Sequence, residues 1–228
     1  GSLDGTADQT ITITQKGSVE NKNGFDLTIK SGTHTIQGDG SSAGGVFTVA
    51  EGKPSAIKLE ATGDAGQNTF TIGDAAANKN ATVTIDSFTN KKGTLSIQGN
   101  AADKGKTSAL NAKVIKIGDE KAADNDAVVT VKGHGSLNAT GTGSGEGLLI
   151  GKGAKITVEQ NGKIDATTIT MTSGTLSNSG SVTAGTLNLS GGTLTAAEAV
   201  TASDALNITG GKIDATKAVS GKTILLTG

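Results

Sequence analysis

Acid–base chemistry in this 228-residue chain would have to come from two histidines, 21 carboxylates and 20 lysines, because Cys, Tyr, Trp and Arg are all absent. His34 and His134 stand 100 residues apart. That is too far for one metal or one triad in a fold built from short local units, and both read as surface residues. Asp124-Asn125-Asp126, with Glu120 nearby, offers oxygens of the kind Ca²⁺ gathers, roughly six to eight at a time. Neither the EF-hand spacing nor the nonapeptide repeat of Ca²⁺-binding β-rolls accompanies them, so they read as a solvated turn. Gly105-Lys106-Thr107 and Gly221-Lys222-Thr223 carry the last letters of a phosphate loop. Asn100 and Thr216 occupy the place of its first Gly, however, and no helix is expected to follow. The glycine-rich run from Gly141 to Gly147 likewise precedes no helix whose N-terminus could hold an anion. No G-x-S-x-G nucleophile context is found. The expectation is a chain that is not an enzyme and carries no cofactor and no metal.

Composition narrows the partners. Without Arg there is no bidentate fork for phosphates and guanines, and without Tyr or Trp there are no stacking platforms, so nucleic acid is excluded as a partner. The competing reading that a β-helix invites is a polysaccharide-binding or polysaccharide-cleaving protein, and the same lack argues against its enzymatic form, a lyase or hydrolase. Leu, Ile, Val and Phe number 48 of 228, near the lower limit for a folded chain, but a net charge of -1 removes the repulsion that accompanies disorder. No apolar run approaches the roughly 18 residues of a membrane span. The absence of Cys suits export as an unfolded chain.

The elements that must position any site come from an internal repeat. From Ile169 onward the apolar residues fall into a three-part register: Ile169 and Met171, Leu176, Val182; then Leu187 and Leu189, Leu194, Val200; then Leu206 and Ile208, Ile213, Val219; then Ile224 and Leu226. Like positions recur after 18, 19 and 18 residues. Pairs such as Leu187-Asn188-Leu189 put two side chains on one face and one on the other, the period of a strand. The pairs Gly191-Gly192 and Gly210-Gly211 follow as corners. Three strands and three corners make one coil. A coil cannot bury its few aliphatics alone, but stacked coils join them into inner ladders. The fold class is therefore all-β: a right-handed parallel β-helix, a solenoid of three short strands per coil and about ten coils, roughly 45–50 Å long.

Residues 129–228 are read as the regular coils and 1–128 as coils with longer charged loops, in one continuous domain. In the first part Ile11 and Ile13, Leu27 and Ile29, Phe47 and Val49, Phe70 and Ile72, Leu95 and Ile97, and Ile115 and Ile117 read as comparable pairs 16 to 25 residues apart. Val129 and Val131 read as one coil before Leu148 and Ile150. The chain ends within what reads as a first strand, Ile224 to Gly228, and looks excised from a longer protein.

The units typified by Thr186-Leu187-Asn188-Leu189-Ser190-Gly191-Gly192-Thr193-Leu194-Thr195 resemble the Gly-, Thr- and Asn-rich repeats of autotransporter passenger domains, secreted β-helices of Gram-negative bacteria. The resemblance covers residues 129–228 well and 1–128 more loosely. It implies an adhesin stalk at the bacterial surface or secreted, exported across the outer membrane and not itself membrane-embedded. The implied partners are its own copies on neighbouring cells, in aggregation and biofilm formation, or a host cell-surface or matrix component.

Two surfaces are candidates for such contacts. Three strands end in Ile-Gly (Ile72-Gly73, Ile117-Gly118, Ile150-Gly151) and lead through charged loops to a further strand. The loops are expected along one edge of the rod, lined by Asp74, Lys79, Asp119, Glu120, Lys121, Asp124, Asp126, Lys152 and Lys155. The second is a polar ladder of outward residues lying between inward pairs: Thr28, Thr48, Thr71, Thr170, Asn188 and Asn207. Stacked hydroxyls and amides there can hydrogen-bond up the rod and blunt a flat sheet.

Overall fold

The computed structural model describes residues 9–13, 18–21, 25–38, 45–49, 54–61, 68–74, 79–119 and 126–227. Among these lie twenty strands and no helix, linked in one sheet by parallel pairings. The strands form three ladders, one for each face of a parallel β-helix, and the described residues complete nine rungs. The first face runs Gln9–Ile13, Gly32–Gly38, Asn68–Ile72, 93–98, Ala127–Lys132, Ala154–Val158, Thr175–Asn178, Thr193–Ala196 and Lys212–Ala215. The second face runs from Ser18–Asn21 through Gly45–Val49, 81–84, 109–112 and Gly135–Ala139 to 219–221. The third runs from Phe25–Ile29 through 55–59, 87–90, 114–117 and Gly147–Ile150 to 223–226.

Alternation does the sorting. Along Asn68–Ile72 and Ala127–Lys132 every second side chain is buried, as a pleat requires. The inward residues then stack rung upon rung: Phe47, Val83, Leu110, Leu137, Ile164, Val182 and Val200 form one column of the second face, and all are buried. The regular register of the C-terminal coils holds as the sequence indicates: Ile169 pairs Leu187 and then Leu206, Leu176 pairs Leu194 and then Ile213, and Val182 pairs Val200 and then Val219. Even the change from 18 to 19 residues has a place. Ser203 and Asp204 together oppose Gly185, a bulge at the second-to-third corner. Gly192 and Gly211 turn their corners at φ 82° and 80°, where a side chain would be strained.

The N-terminal register differs from the sequence expectation. Ile11 and Phe70 lie on the first face, Phe47 on the second, Leu27 and Ile115 on the third. Leu27, Phe47, Phe70 and Ile115 are buried, but the pairs are not like positions. Val129 likewise belongs to the first face and stacks on Ile156, while Leu148 belongs to the third. The true first-face column is His34, Phe70, Leu95, Val129, Ile156, Leu176, Leu194 and Ile213. All three faces use the same alternating pattern, so pattern alone does not say which face a pair occupies once loop lengths vary.

His34 also corrects the sequence reading. It is buried, stacked in register with Phe70, and its ring Nε2 hydrogen-bonds the Ser31 carbonyl at 2.8 Å. His134 is half-buried in a turn at φ 62°.

Candidate functional site

The charged loops do not share one edge. Asp74 and Lys79 exchange two backbone hydrogen bonds of 2.9 Å in an isolated antiparallel bridge after the first-face strand Asn68–Ile72. That bridge stands at the first-to-second corner. Ile117 and Ile150 end third-face strands, so Asp119, Asp126 and Lys152 gather at the third-to-first corner instead. There Asp119 N–H donates to the Lys152 carbonyl at 3.0 Å and Gly93 N–H to the Asp126 carbonyl at 2.8 Å. Lys155 is the second residue of the next first-face strand, Ala154–Val158, and is exposed. Glu120, Lys121 and Asp124 lie outside the described residues. A shallow groove of about 600 Å³ runs beside this corner, lined by Lys116, Asp119, Leu149, Lys152, Thr170 and Thr172 among others. Among the described residues no group of three His, Cys, Asp or Glu side chains comes together to hold a metal.

The six residues of the expected polar ladder are spread over three faces. Thr170, Asn188 and Asn207 are successive rungs of the third face, and Asn207 Nδ2 donates to Asn188 Oδ1 at 2.8 Å. Thr28 is on that face but is separated from them by Lys58, Thr89, Lys116 and Leu149. Thr48 belongs to the second face and Thr71 to the first. The reason is the same as for the core: each outward residue lies beside its own inward pair, and those pairs occupy different faces.

Two polar surfaces emerge that the sequence spacing did not single out. On the first face, two outward columns run through seven rungs: Thr33 and Thr35, Thr69 and Thr71, Thr94 and Ser96, Val128 and Thr130, Lys155 and Thr157, Thr175 and Ser177, Thr193 and Thr195; of these Ser96 is buried and accepts a hydrogen bond from Gln98 Nε2 at 2.7 Å. Ser and Thr make up 52 of 228 residues in the chain, yet fill all but two of these positions. Chance does not account for that, and the other two faces mix Lys, Asn, Asp, Val, Ala and Leu into the equivalent columns. Adjacent hydroxyls lie ~4.8 Å apart along the rod and ~6.6 Å apart across it, a flat uncharged lattice interrupted chiefly by Lys155. The signal in the sequence was T-x-[ST] at strand centres. It becomes a surface only once the loops are removed from the count.

The second surface lies on the second face. Asn138 Nδ2 donates to Asn111 Oδ1 at 2.7 Å, and Asn111 Nδ2 to Thr84 Oγ1 at 3.2 Å. One rung on, Lys163 and Asp165 pair at 2.7 Å. Two depressions of about 620 and 630 Å³ flank this line and share Ser136 and Lys163 in their walls. Gly135, Gly162 and Gly180 recur at one corner, where a Cβ would meet backbone oxygens at 2.5, 2.2 and 2.4 Å. Ala139, Ala166 and Gly185 line the other side.

Electrostatics elsewhere are those of a solvated rod. Lys58–Asp26, Lys91–Glu60 and Lys113–Asp86 bridge neighbouring rungs at 3.3, 2.9 and 2.9 Å, all on exposed or half-exposed side chains. The hydrogen bond and charge of Glu60 hold the Lys91 ammonium above its ordinary pKa of 10.5. No family model, no curated protein and no solved structure matches the chain.

Proposed function

We propose that the chain is the β-helical rod of a bacterial surface adhesin of the autotransporter type, exported across the outer membrane. It holds cells together through contacts between copies on neighbouring cells and attaches them to host surfaces. The observation that carries this reading is the first-face array of Thr and Ser, which fills all but two outward positions over seven rungs.

A near-neutral surface of this kind neither repels its own copy nor draws it in by hydrophobic burial. Contact between two such faces rests on many hydrogen bonds worth about 1 kcal/mol or less each. A single pair of rods then separates readily, whereas dense arrays on facing cells adhere by multivalency. The purified chain should be monomeric at micromolar concentration and should clump cells only when displayed.

Display on a non-aggregating bacterium, with sedimentation as the readout, tests this. Clumping should be lost when Thr130→Lys and Thr157→Lys place charges in the middle of the array. Charge reversal at the corner, Lys121→Glu with Lys152→Glu, should leave it largely intact. A displayed chain that gives neither clumping nor attachment to host cells or matrix overturns the reading.

A further inference from the structure

We infer that the second face between Asn111 and Ser181 is a binding trough for a neutral, linear glycan lying along the rod axis. This is independent of the first-face array, which lies on a different side of the rod. Three observations converge. The two depressions are contiguous, meeting at Ser136 and Lys163. Their lining presents amide, carboxylate, ammonium and hydroxyl groups on successive rungs, Asn111, Asn138 and Asp165 in one column and Ser136, Lys163 and Ser181 in the next. And Asn138 makes both of its side-chain hydrogen bonds as a donor, through Nδ2 to Asn111 and to Ser136, so its Oδ1 keeps acceptor capacity beside the depression that Asn138 lines.

The chemistry selects the occupant. Rungs repeat every ~4.8 Å, close to the length of one pyranose unit in an extended chain, so successive sugars meet successive sets of side chains in register. A peptide strand has nothing to pair with here, because each second-face strand in this region is bonded on both sides. An acidic polymer is disfavoured as well. Lys163, the ammonium in the lining, is held by Asp165, and Glu198 stands in the wall. Hydrogen-bond recognition without aromatic stacking gives low affinity, expected in the millimolar range, with specificity for hydroxyl and acetamido groups over carboxylates.

The test is titration of the intact 228-residue chain with cellohexaose and with chitohexaose, followed by saturation-transfer difference NMR, with hexagalacturonate as the anionic comparison. One or both neutral hexasaccharides should bind saturably and more tightly than the anionic one. Asn138→Ala with Asp165→Ala should weaken binding at least fivefold. Thr157→Lys on the first face should leave it unchanged. Circular dichroism confirms that each variant keeps its β signal, and Lys163→Gln supplies a second, volume-conserving probe if the double variant does not. The inference is overturned if neither neutral hexasaccharide binds saturably, if the anionic one binds more tightly, or if folded trough variants bind like the parent.

Discussion

The two halves of the rod build the same ladder from differently spaced sequence. In the first-face column, His34, Phe70, Leu95, Val129 and Ile156 are separated by 36, 25, 34 and 27 residues, whereas Ile156, Leu176, Leu194 and Ile213 follow at 20, 18 and 19. The rungs nevertheless stack in register throughout, with Phe70 and Leu194 equally buried. What specifies the fold is therefore the stacking of inward side chains, and the length of chain between them is nearly free. Loop closure costs little per added residue, because its entropy grows only with the logarithm of length.

The halves also differ in what they allow inside. One third-face column reads Leu59, Asn90, Ile117, Ile150, Met171, Leu189 and Ile208. In the looped half it accommodates Asn90, because Asn90 Nδ2 donates to the Gly93 and Val128 carbonyls at 3.0 and 3.1 Å. Leu189 in the regular half is 1% exposed among aliphatics. Leu189→Asp should therefore destabilise the rod by more than about 3 kcal/mol in urea denaturation, the cost of an unpaired charge in an apolar interior. Asn188→Ala, one residue away on the outer face, should cost about 1 kcal/mol, the bond it accepts from Asn207. Equal effects of the two changes would mean that the inward and outward faces are misassigned.

The buried asparagines sharpen the comparison. Asn178 in the regular half is fully engaged: Nδ2 donates to the Glu198 and Ala199 carbonyls at 3.0 Å each, and Oδ1 accepts from Gly180 N–H at 3.0 Å. Asn68 and Asn90 in the looped half have an Oδ1 with no partner among the described residues. Asn178→Ala should then cost about 2 kcal/mol, because three groups lose their partner. Asn90→Ala should cost about 1 kcal/mol less, since it also removes an unsatisfied buried oxygen. Matched thermal or urea unfolding of the two variants reads the difference, and a larger loss for Asn90→Ala would show that its Oδ1 is engaged after all.

These asparagines also mark where sequence reading stops. The strands, the parallel solenoid and the regular register could be read directly, because alternation and an 18-to-19-residue period are local properties of residues 169–226. Face assignment in the N-terminal half is not local. Phe47 and Phe70 look alike in sequence, and only the number of corners turned between them places one on the second face and the other on the first. Asn178 and His34 were hidden for another reason. A polar residue two positions from an inward aliphatic points inward by the pleat, but it reads as surface unless its backbone partners, here Glu198, Ala199 and Ser31, can be seen. The candidate surfaces follow the same logic: loops at Asp74 and Asp119 seemed equivalent because both follow Ile-Gly, and the Thr array was invisible because its members are up to 36 residues apart.

If loops are dispensable to the ladder, removing one should barely register. Asn100 N–H donates to the Lys106 carbonyl at 2.9 Å and Lys106 N–H to the Asp103 carbonyl at 3.0 Å, so the excursion between 93–98 and Ser108–Ile117 is pinched off at its base. Replacing residues 101–105 by two glycines should change stability by less than about 1 kcal/mol. Excising an 18-residue unit such as 175–192 keeps the ladder continuous and should likewise yield a folded, shorter rod. Loss of β-structure in the first variant but not the second would confine tolerance to whole rungs.

The smallest expected effect tests whether charge pairs bridging rungs matter in the looped half. Lys91 lies 2.9 Å from Glu60 Oε1, one rung below, and its pKa is raised first by that hydrogen bond and next by the carboxylate's charge. A cation held above its unfolded value stabilises the fold below the unfolded pKa, and that contribution disappears as pH rises through the folded pKa. Because the two side chains are 48% and 34% exposed, solvent screening limits the pair to about 0.5 kcal/mol. The stability difference between the parent and Lys91→Met should be small and constant well below the ordinary lysine range, then be lost as pH rises through the raised folded pKa. Glu60→Gln should give the same difference, and the double variant no more than either alone, since both single changes delete one interaction. In the regular half Lys212–Asp214, at 3.5 Å with both side chains more than 60% exposed, should show no measurable difference at any pH. A difference there as large as that at Lys91 would mean that the charges act through the rod's overall field, and not through contacts between rungs.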